Sequence, residues 1–440
     1  MQTQPAPAAR PSEKEIRRVV LSSFLGTSLE WYDFFLFGTT AAIVFAPLFF
    51  PSENPTAATL GAFAAFAVGF IARPFGAVLF GHLGDRLGRK GTLIATLILM
   101  GVATTLMGVL PDYHTAGVVA PILLTVLRFA QGIATGGEWG GATLMALEFA
   151  PPEKKGLYAS FVQMGSPVGN ILSTGAVTLF VTLSGAGFLA WGWRVPYLLS
   201  IVLILFALWM RSGIKESPEF QRLLDEKEVE KTPVVELIAK AWPRVLVAAG
   251  AYLFGIAGFF MMTTFGISYV RNIVKIDPQI ALNAIIIGAV SQLFTLWLAG
   301  RLSISMGPAR ATILGYSLAI VAGAPFFFLL NTGDFWIVSI AYVLGLGIAS
   351  IPYGPVGAVM NKLFPAKYNY SGIAVAANLA GLVSGFMPWI ATNVMTVTNN
   401  SVWGPTLLIV GIAAISLVCT IIAHRMITGD ERGERIGIKE

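Results

Sequence analysis

The feature that most constrains this sequence is a rhythm: apolar runs of about 20 residues, the length needed to cross a bilayer, recur from one end to the other. Short polar turns separate them. Reading the runs at that length gives about twelve spans, near residues 19–49, 58–80, 92–110, 116–148, 157–183, 193–210, 242–270, 281–299, 311–330, 335–360, 371–395 and 406–424. The runs are continuous rather than alternating, which excludes a membrane β-barrel. Backbone polar groups in hydrocarbon must be satisfied internally, so each run is expected to be a helix. The expected fold class is therefore an all-α membrane protein of twelve transmembrane helices. Charged residues make up 12% of the chain and hydrophobic ones 55%, whereas soluble domains are about 25% charged. Gly165-Ser166-Pro167 and Pro352-Tyr353-Gly354-Pro355 predict kinked or broken helices within two of the spans.

Charge asymmetry orients the bundle. With the first terminus inside, Arg10, Lys14, Arg17, Arg18, Arg86, Arg89, Lys90, Lys154, Lys155, Arg301 and Arg310 all fall on the inner side. Only Arg271 and Lys275 lie in outer loops, and Arg194 sits at an outer helix end. This fits the positive-inside rule, and both termini are expected to be cytoplasmic, in a multi-pass protein of a bacterial inner membrane. The net charge of +6 reads as topology and not as a nucleic-acid surface. The first residues are polar and lead into the first run without a small-residue cleavage site, so that run is expected to stay as a helix. The lone cysteine, Cys419, excludes a disulfide framework and a CxxC metal site.

The chain also repeats itself. Gly81-His82-Leu83 with Gly88 recurs as Gly300-Arg301-Leu302 with Gly307, and Glu148-Phe149-Ala150-Pro151 recurs as Lys362-Leu363-Phe364-Pro365. A charged, helix-competent stretch lies between the copies. The implied organisation is a cytoplasmic tail (1–18), a six-helix half (19–211), a cytoplasmic linker (212–241), a second six-helix half (242–426) and a short tail (427–440). Two such halves around a central cavity are a transporter plan, with substrate held near the midplane.

The charged segment Gly81 to Lys90, GHLGDRLGRK, is expected to be a short hairpin loop between the second and third spans. Continued through Leu93, it resembles the loop two-three signature of the major facilitator superfamily. LEWYDFFLFG from Leu29, RPFG from Arg73, LRFAQGIATGGEWGG from Leu127, WGWRVPYLLS from Trp191 and SPEFQ from Ser217 are similar to the metabolite:proton symporter family within it, most of all its shikimate transporter branch. The resemblance implies two six-helix halves, coupling to protons, and a gating role for Asp85, Arg86 and Arg89. The second half departs from the pattern, with Ile304 and Ser305 where the first has Asp85 and Arg86, and Lys362 where it has Glu148.

Ionisable residues within the spans carry the functional reading, since burying one unpaired costs about 2.5–3.5 kcal/mol on insertion scales. Counted from its inner end, Asp33 on the first helix is about 21 Å deep, and Arg128 on the fourth, counted from its outer end, is about 18 Å deep. Opposite charges at one level predict a coupled pair. Glu30, one turn away, is the second proton candidate. A carboxyl whose charge is disfavoured by burial and favoured by a movable arginine can change protonation state; its protonation would free Arg128 to hold a substrate carboxylate through its planar fork. The resemblance points to the same residues. The alternative is a permanent salt bridge joining two helices.

Weaker candidates follow. Arg128, Gln131, Thr135 and Glu138 form a polar stripe on helix four, and Arg73 is expected to pair with Glu138 as an inner gate. Gln163, Ser166, Asn170 and Ser173 form a second stripe that serves either substrate or interhelical hydrogen bonding. Tyr252, Gln292, Tyr353 and Asn378 reach middle depths in the second half and are candidate substrate contacts. Most of the aromatic residues read as packing or lipid-facing.

An enzyme is disfavoured: the three histidines, His82, His114 and His424, are scattered, and the sequence has no HExxH, GxSxG or nucleotide-binding glycine loop. A gradient must supply the energy, so no cofactor is expected beyond the proton as coupling ion. The leading expectation is a monomeric symporter for a small organic acid, with lipid as its only other partner. An exporter is the second reading, disfavoured because GSPVGN from Gly165 only partly resembles the exporter-type signature. The third, a membrane enzyme or receptor, is disfavoured by the missing motifs; within the leading reading a symporter for proline or betaine is the main rival, weakened by a short tail without heptads.

Overall fold

A computed structural model describes residues 13–87, 89–136, 152–212, 233–364 and 369–432. Ten of its helices are long and apolar enough to cross a membrane, and two shorter apolar helices complete a set of twelve among the described residues. In chain order they are α1 (Val20–Phe49), α2 (Pro55–Phe80), α3 (Ile94–Met107), α4 (Val119–Gly136), α5 (Lys155–Gly192), α6 (Arg194–Phe206), α7 (Lys240–Val274), α8 (Pro278–Met306), α9 (Pro308–Leu330), α10 (Phe335–Leu363), α11 (Ser371–Val397) and α12 (Trp403–Glu431). No described residue is in a strand. Large apolar side chains such as Val78, Val102, Val126, Leu205, Val321 and Val418 point outward, as a lipid-facing surface requires.

The packing of one half is repeated in the other. α1 packs on α5 as α7 does on α11, α2 on α4 as α8 on α10, and α3 on α6 as α9 on α12. The halves meet through α5 with α8 and through α2 with α11, the same relation read in both directions. Small residues permit these approaches, as expected where dispersion rather than the hydrophobic effect joins helices. Gly165 and Gly169 of α5 lie one turn apart against the α1 backbone at Phe24 and Ser28, and Gly132 and Gly136 of α4 lie against the α2 carbonyls of Gly69 and Arg73.

The helices break where the glycine and proline clusters predicted. α5 is interrupted at Met164, just before Gly165-Ser166-Pro167, and α10 passes through a 3-10 segment, Ile348–Tyr353, that contains Pro352. The helices also carry π turns, two of which correspond between the halves without such a signal. α1 widens to a π turn at Ala41–Phe45 and α7 does so at Met261–Phe265, the corresponding place in the second half.

The segment from Gly81 corrects the expected hairpin loop. The helix that begins at Pro55 continues to Leu87, and the next begins at Arg89. No proline interrupts residues 75–87, so a helix leaving the apolar layer can continue through its charged turn. Likewise the helix of α7 starts at Pro233, inside the expected linker, and kinks at Ala241 beside Pro243. Linker residues 213–232 lie outside the described residues.

Candidate substrate and proton site

Arg128 on α4 is completely buried. Its guanidinium lies over the rings of Phe34 and Phe37 at 4.4 Å each, Phe66 at 5.0 Å and Phe70 at 5.9 Å. This aromatic cage stabilises the cation through ring quadrupoles, about 2 kcal/mol or more per well-placed ring once water is excluded. Nε donates to the Phe66 carbonyl at 3.4 Å, Nη1 donates to Gln131 Oε1, and Nη2 has no hydrogen-bond partner. Such an orphaned donor on a buried cation is costly, and an incoming acceptor would relieve it.

Asp33 is buried on α1 and accepts from Thr104 Oγ1 of α3 at 3.0 Å. Gln131 Nε2 donates to the same Thr104 oxygen at 2.8 Å. Arg128 and Asp33 are thus joined through Gln131 and Thr104 and not by a direct ion pair, which corrects the geometry expected from depth alone. The reason is lateral. The four phenylalanine rings hold the guanidinium on their side of the space, and the carboxylate turns towards α3.

Arg73 has a partner on α1 that the sequence did not suggest. Its Nη2 pairs with Glu30 Oε1 at 3.2 Å, and both side chains are nearly inaccessible. Arg73 lies over Phe34 at 4.6 Å and Phe70 at 4.8 Å, so the two buried arginines share two rings. The expected gate partner, Glu138, lies outside the described residues, as do the side chains of Asp85, Arg86 and Arg89.

The second polar stripe faces the other half. Gln163 Nε2 lies 3.5 Å from the hydroxyl of Tyr252 on α7, which lies 3.4 Å from that of Tyr353 on α10, and the two tyrosine rings stack with centroids 5.8 Å apart. Gln163 Oε1, Ser166 Oγ and Asn170 Nδ2, on successive turns of α5, are buried without hydrogen-bond partners. Across the interface Gln292 Nε2 donates to Ser350 Oγ at 3.0 Å and leaves its Oε1 unpartnered. Asn378 differs: it is only partly buried and its Nδ2 donates to Ala374 O one turn back at 2.9 Å, as helix-internal polar residues commonly do.

The halves touch on both sides of this polar layer. Near the α1–α2 turn, Arg271 Nη1 at the end of α7 donates to the carbonyls of Ala42 at 3.1 Å and Ile43 at 2.9 Å, within the π turn of α1. Gly38 lies directly against Thr264 there. At the opposite end, Gly156 abuts Ser303, and Gly300 and Gly354 abut Ser160. Arg271 had read as an outer-loop charge, and Thr104 as part of an apolar span. The phenylalanine spacing on α1, Phe34 and Phe37 about 60° apart, was the available sign of the cage.

A protein with this helix order, mirrored packing and central buried arginine falls in a known class. The chain belongs to the Major Facilitator Superfamily, whose sequence pattern matches residues 23–388, and it is a membrane transport protein. The shikimate transporter of Escherichia coli K12 is 41% identical over 407 residues, covering 88% of this chain and 91% of that protein. The proline/betaine transporter of the same organism is 30% identical over 414 residues, covering 92% and 82%. Among solved structures, a D-xylose-proton symporter superposes with a TM-score of 0.70 at 18% identity, over 93% of this chain and 97% of that one.

Proposed function

We propose that this protein carries a small organic acid across the bacterial inner membrane together with protons, by alternating access. The observation that carries the reading is Arg128: a buried cation with one orphaned donor, held by aromatic rings, and linked through two side chains to a buried carboxyl. A carboxylate substrate supplies the missing acceptor, and a guanidinium binds it with two parallel hydrogen bonds. The unpartnered Gln163, Ser166, Asn170 and Gln292 atoms offer donors and acceptors to the hydroxyls or further carboxyls of the same molecule. Tyr252 and Tyr353 close the layer from the second half. The similarity to a shikimate transporter supports a hydroxylated ring acid.

Asp33 takes the coupling proton in this reading, and Glu30, held by Arg73, is a fixed counter-charge. The turn between α1 and α2 faces the periplasm and both termini the cytoplasm, the orientation favoured by the lysine and arginine bias. Two units, residues 19–211 and 242–426, rock about the linker. Asp85, Arg86, Arg89 and Glu138 act at the cytoplasmic end as closing contacts. Arg128, Gln131, Gln163, Asn170, Tyr252, Gln292 and Tyr353 are all buried, so admitting a metabolite to them requires the halves to part.

A second reading is a proline or betaine symporter, favoured by the similarity to the proline/betaine transporter. Both zwitterions also present a carboxylate to Arg128. Uptake of radiolabelled shikimate, citrate, α-ketoglutarate, proline and betaine into vesicles, with and without an inward proton gradient, separates the two. Gradient-dependent uptake of an acid supports the first. Uptake competed by betaine and proline but by none of the acids overturns it.

A further inference from the structure

Thr104 Oγ1 stands at a junction of three groups: it lies 3.0 Å from Asp33 Oδ2, 2.8 Å from the carbonyl of Met100, and receives a hydrogen bond from Gln131 Nε2 at 2.8 Å. All the side chains involved are buried. The orientation of the Gln131 amide follows from chemistry. A guanidinium only donates, so the oxygen of the amide must face Arg128 Nη1 and its nitrogen must face Thr104. Thr104 therefore always accepts from Gln131, and it has one hydrogen left for two acceptors.

With Asp33 ionised, that hydrogen is contested between the carboxylate and the Met100 carbonyl, and the charged acceptor makes the stronger bond. Every donor then points from Arg128 towards Asp33, giving a chain polarised from cation to anion. With Asp33 protonated, its own O–H donates to Thr104 and the threonine hydrogen turns to Met100 O. All four groups are then satisfied, because a hydroxyl oxygen accepts twice and donates once. The chain no longer ends on an anion, and the hold on the Arg128 guanidinium through Gln131 weakens.

We infer that Thr104 and Gln131 are positioning residues that transmit the protonation state of Asp33 to Arg128, so that proton binding and substrate binding are coupled through a reversible threonine hydroxyl. The inference rests on the assignment of Asp33 and Arg128 proposed above. Asp33 has other titratable neighbours among the described residues. Tyr197 from α6 and Tyr32 from α1 lie within electrostatic reach of it, Arg73 from α2 is engaged by Glu30, and α5 offers only Lys155 and Tyr158, near its start. None of these lies between Asp33 and Arg128 in the chain just described.

The test uses the full-length protein in vesicles, with radiolabelled shikimate as the transport probe and acid-minus-alkaline infrared difference spectra as a probe that needs no substrate. The carboxyl band lost in Asp33→Asn identifies Asp33. Thr104→Val keeps shape and removes the hydroxyl; it is expected to shift that band. The parent's KM is expected to change by about tenfold across the titration; in Thr104→Val this change is expected to fall to less than about twofold, and Thr104→Ser to restore it. Gln131→Met cuts the same chain one link away and decides the matter should Thr104→Val not reach the membrane. An Asp33 band and a KM profile unchanged in both Thr104→Val and Gln131→Met overturn the relay. If Asp33→Asn itself accumulates substrate like the parent, the underlying assignment has failed and the relay falls with it. If shikimate is not carried, the infrared arm alone decides: a shifted band in Thr104→Val supports the relay, and an unchanged one overturns it.

Discussion

Glu30 and Arg73 face each other at 3.2 Å between α1 and α2, both almost wholly removed from solvent. A pair so placed costs several kcal/mol per ion to desolvate, and that cost is offset only while both charges are present. Removing either residue takes this ion pair away from the other. Glu30→Gln or Arg73→Gln alone is therefore expected to destabilise the protein by about 3–5 kcal/mol, and the double substitution by less than either. Thermal unfolding of the purified protein in detergent checks this, and equal or additive losses in the double variant refute it.

Asp33 is the residue on which gradient-driven accumulation depends in the proposed mechanism. Asp33→Asn copies the protonated carboxyl and is expected to abolish accumulation while leaving substrate exchange. Vesicle uptake under an imposed proton gradient, compared with counterflow in its absence, gives the answer. Accumulation at the parent level would shift the proton to another group, with Glu30 the first to examine.

Arg128→Lys retains the positive charge but loses the planar fork and the stacking within the phenylalanine cage. Binding of a carboxylate is expected to weaken by tenfold or more, about 1.4 kcal/mol. Normal binding in this variant would mean that a point charge suffices and that the cage is packing alone.

At the α1–α2 end, Gly38 leaves no space for a side chain against Thr264. Gly38→Leu is expected to hold that end open. Arg271→Gln, by releasing the carbonyls of Ala42 and Ile43, is expected to shift the population the same way by a smaller amount. Reaction of a cysteine introduced at Thr264 with a membrane-impermeant thiol reagent, in a Cys419→Ser background, reports Arg271→Gln directly, and unchanged labelling contradicts the closing role.

Much of the architecture was legible because the bilayer imposes a length on every span and a cost on every intramembrane charge. Both rules act on sequence directly, and they picked out the spans and the intramembrane Asp33, Glu30 and Arg128, while glycine and proline clusters marked the breaks at Met164 and Pro352. They fail for lateral arrangement. Depth placed Asp33 level with Arg128 but could not show that four phenylalanines pull the guanidinium aside. Thr104 escaped notice because a threonine in a transmembrane helix ordinarily donates to a carbonyl one turn back, as this one also does to Met100. Arg271 counted as a loop charge, since nothing in a linear sequence tells of a widened turn in a distant helix that exposes two carbonyls to it.

That widened turn has a consequence for how the molecule can be tuned. Its counterpart exists in α7, but among the described residues the arginine bolt runs one way, from the second half into the first. A mirrored architecture is thereby given a handed lock. Variation at residue 271 can lengthen or shorten the dwell of one closed end without altering any group that touches the cargo or the proton, so speed and selectivity can be adjusted independently of each other.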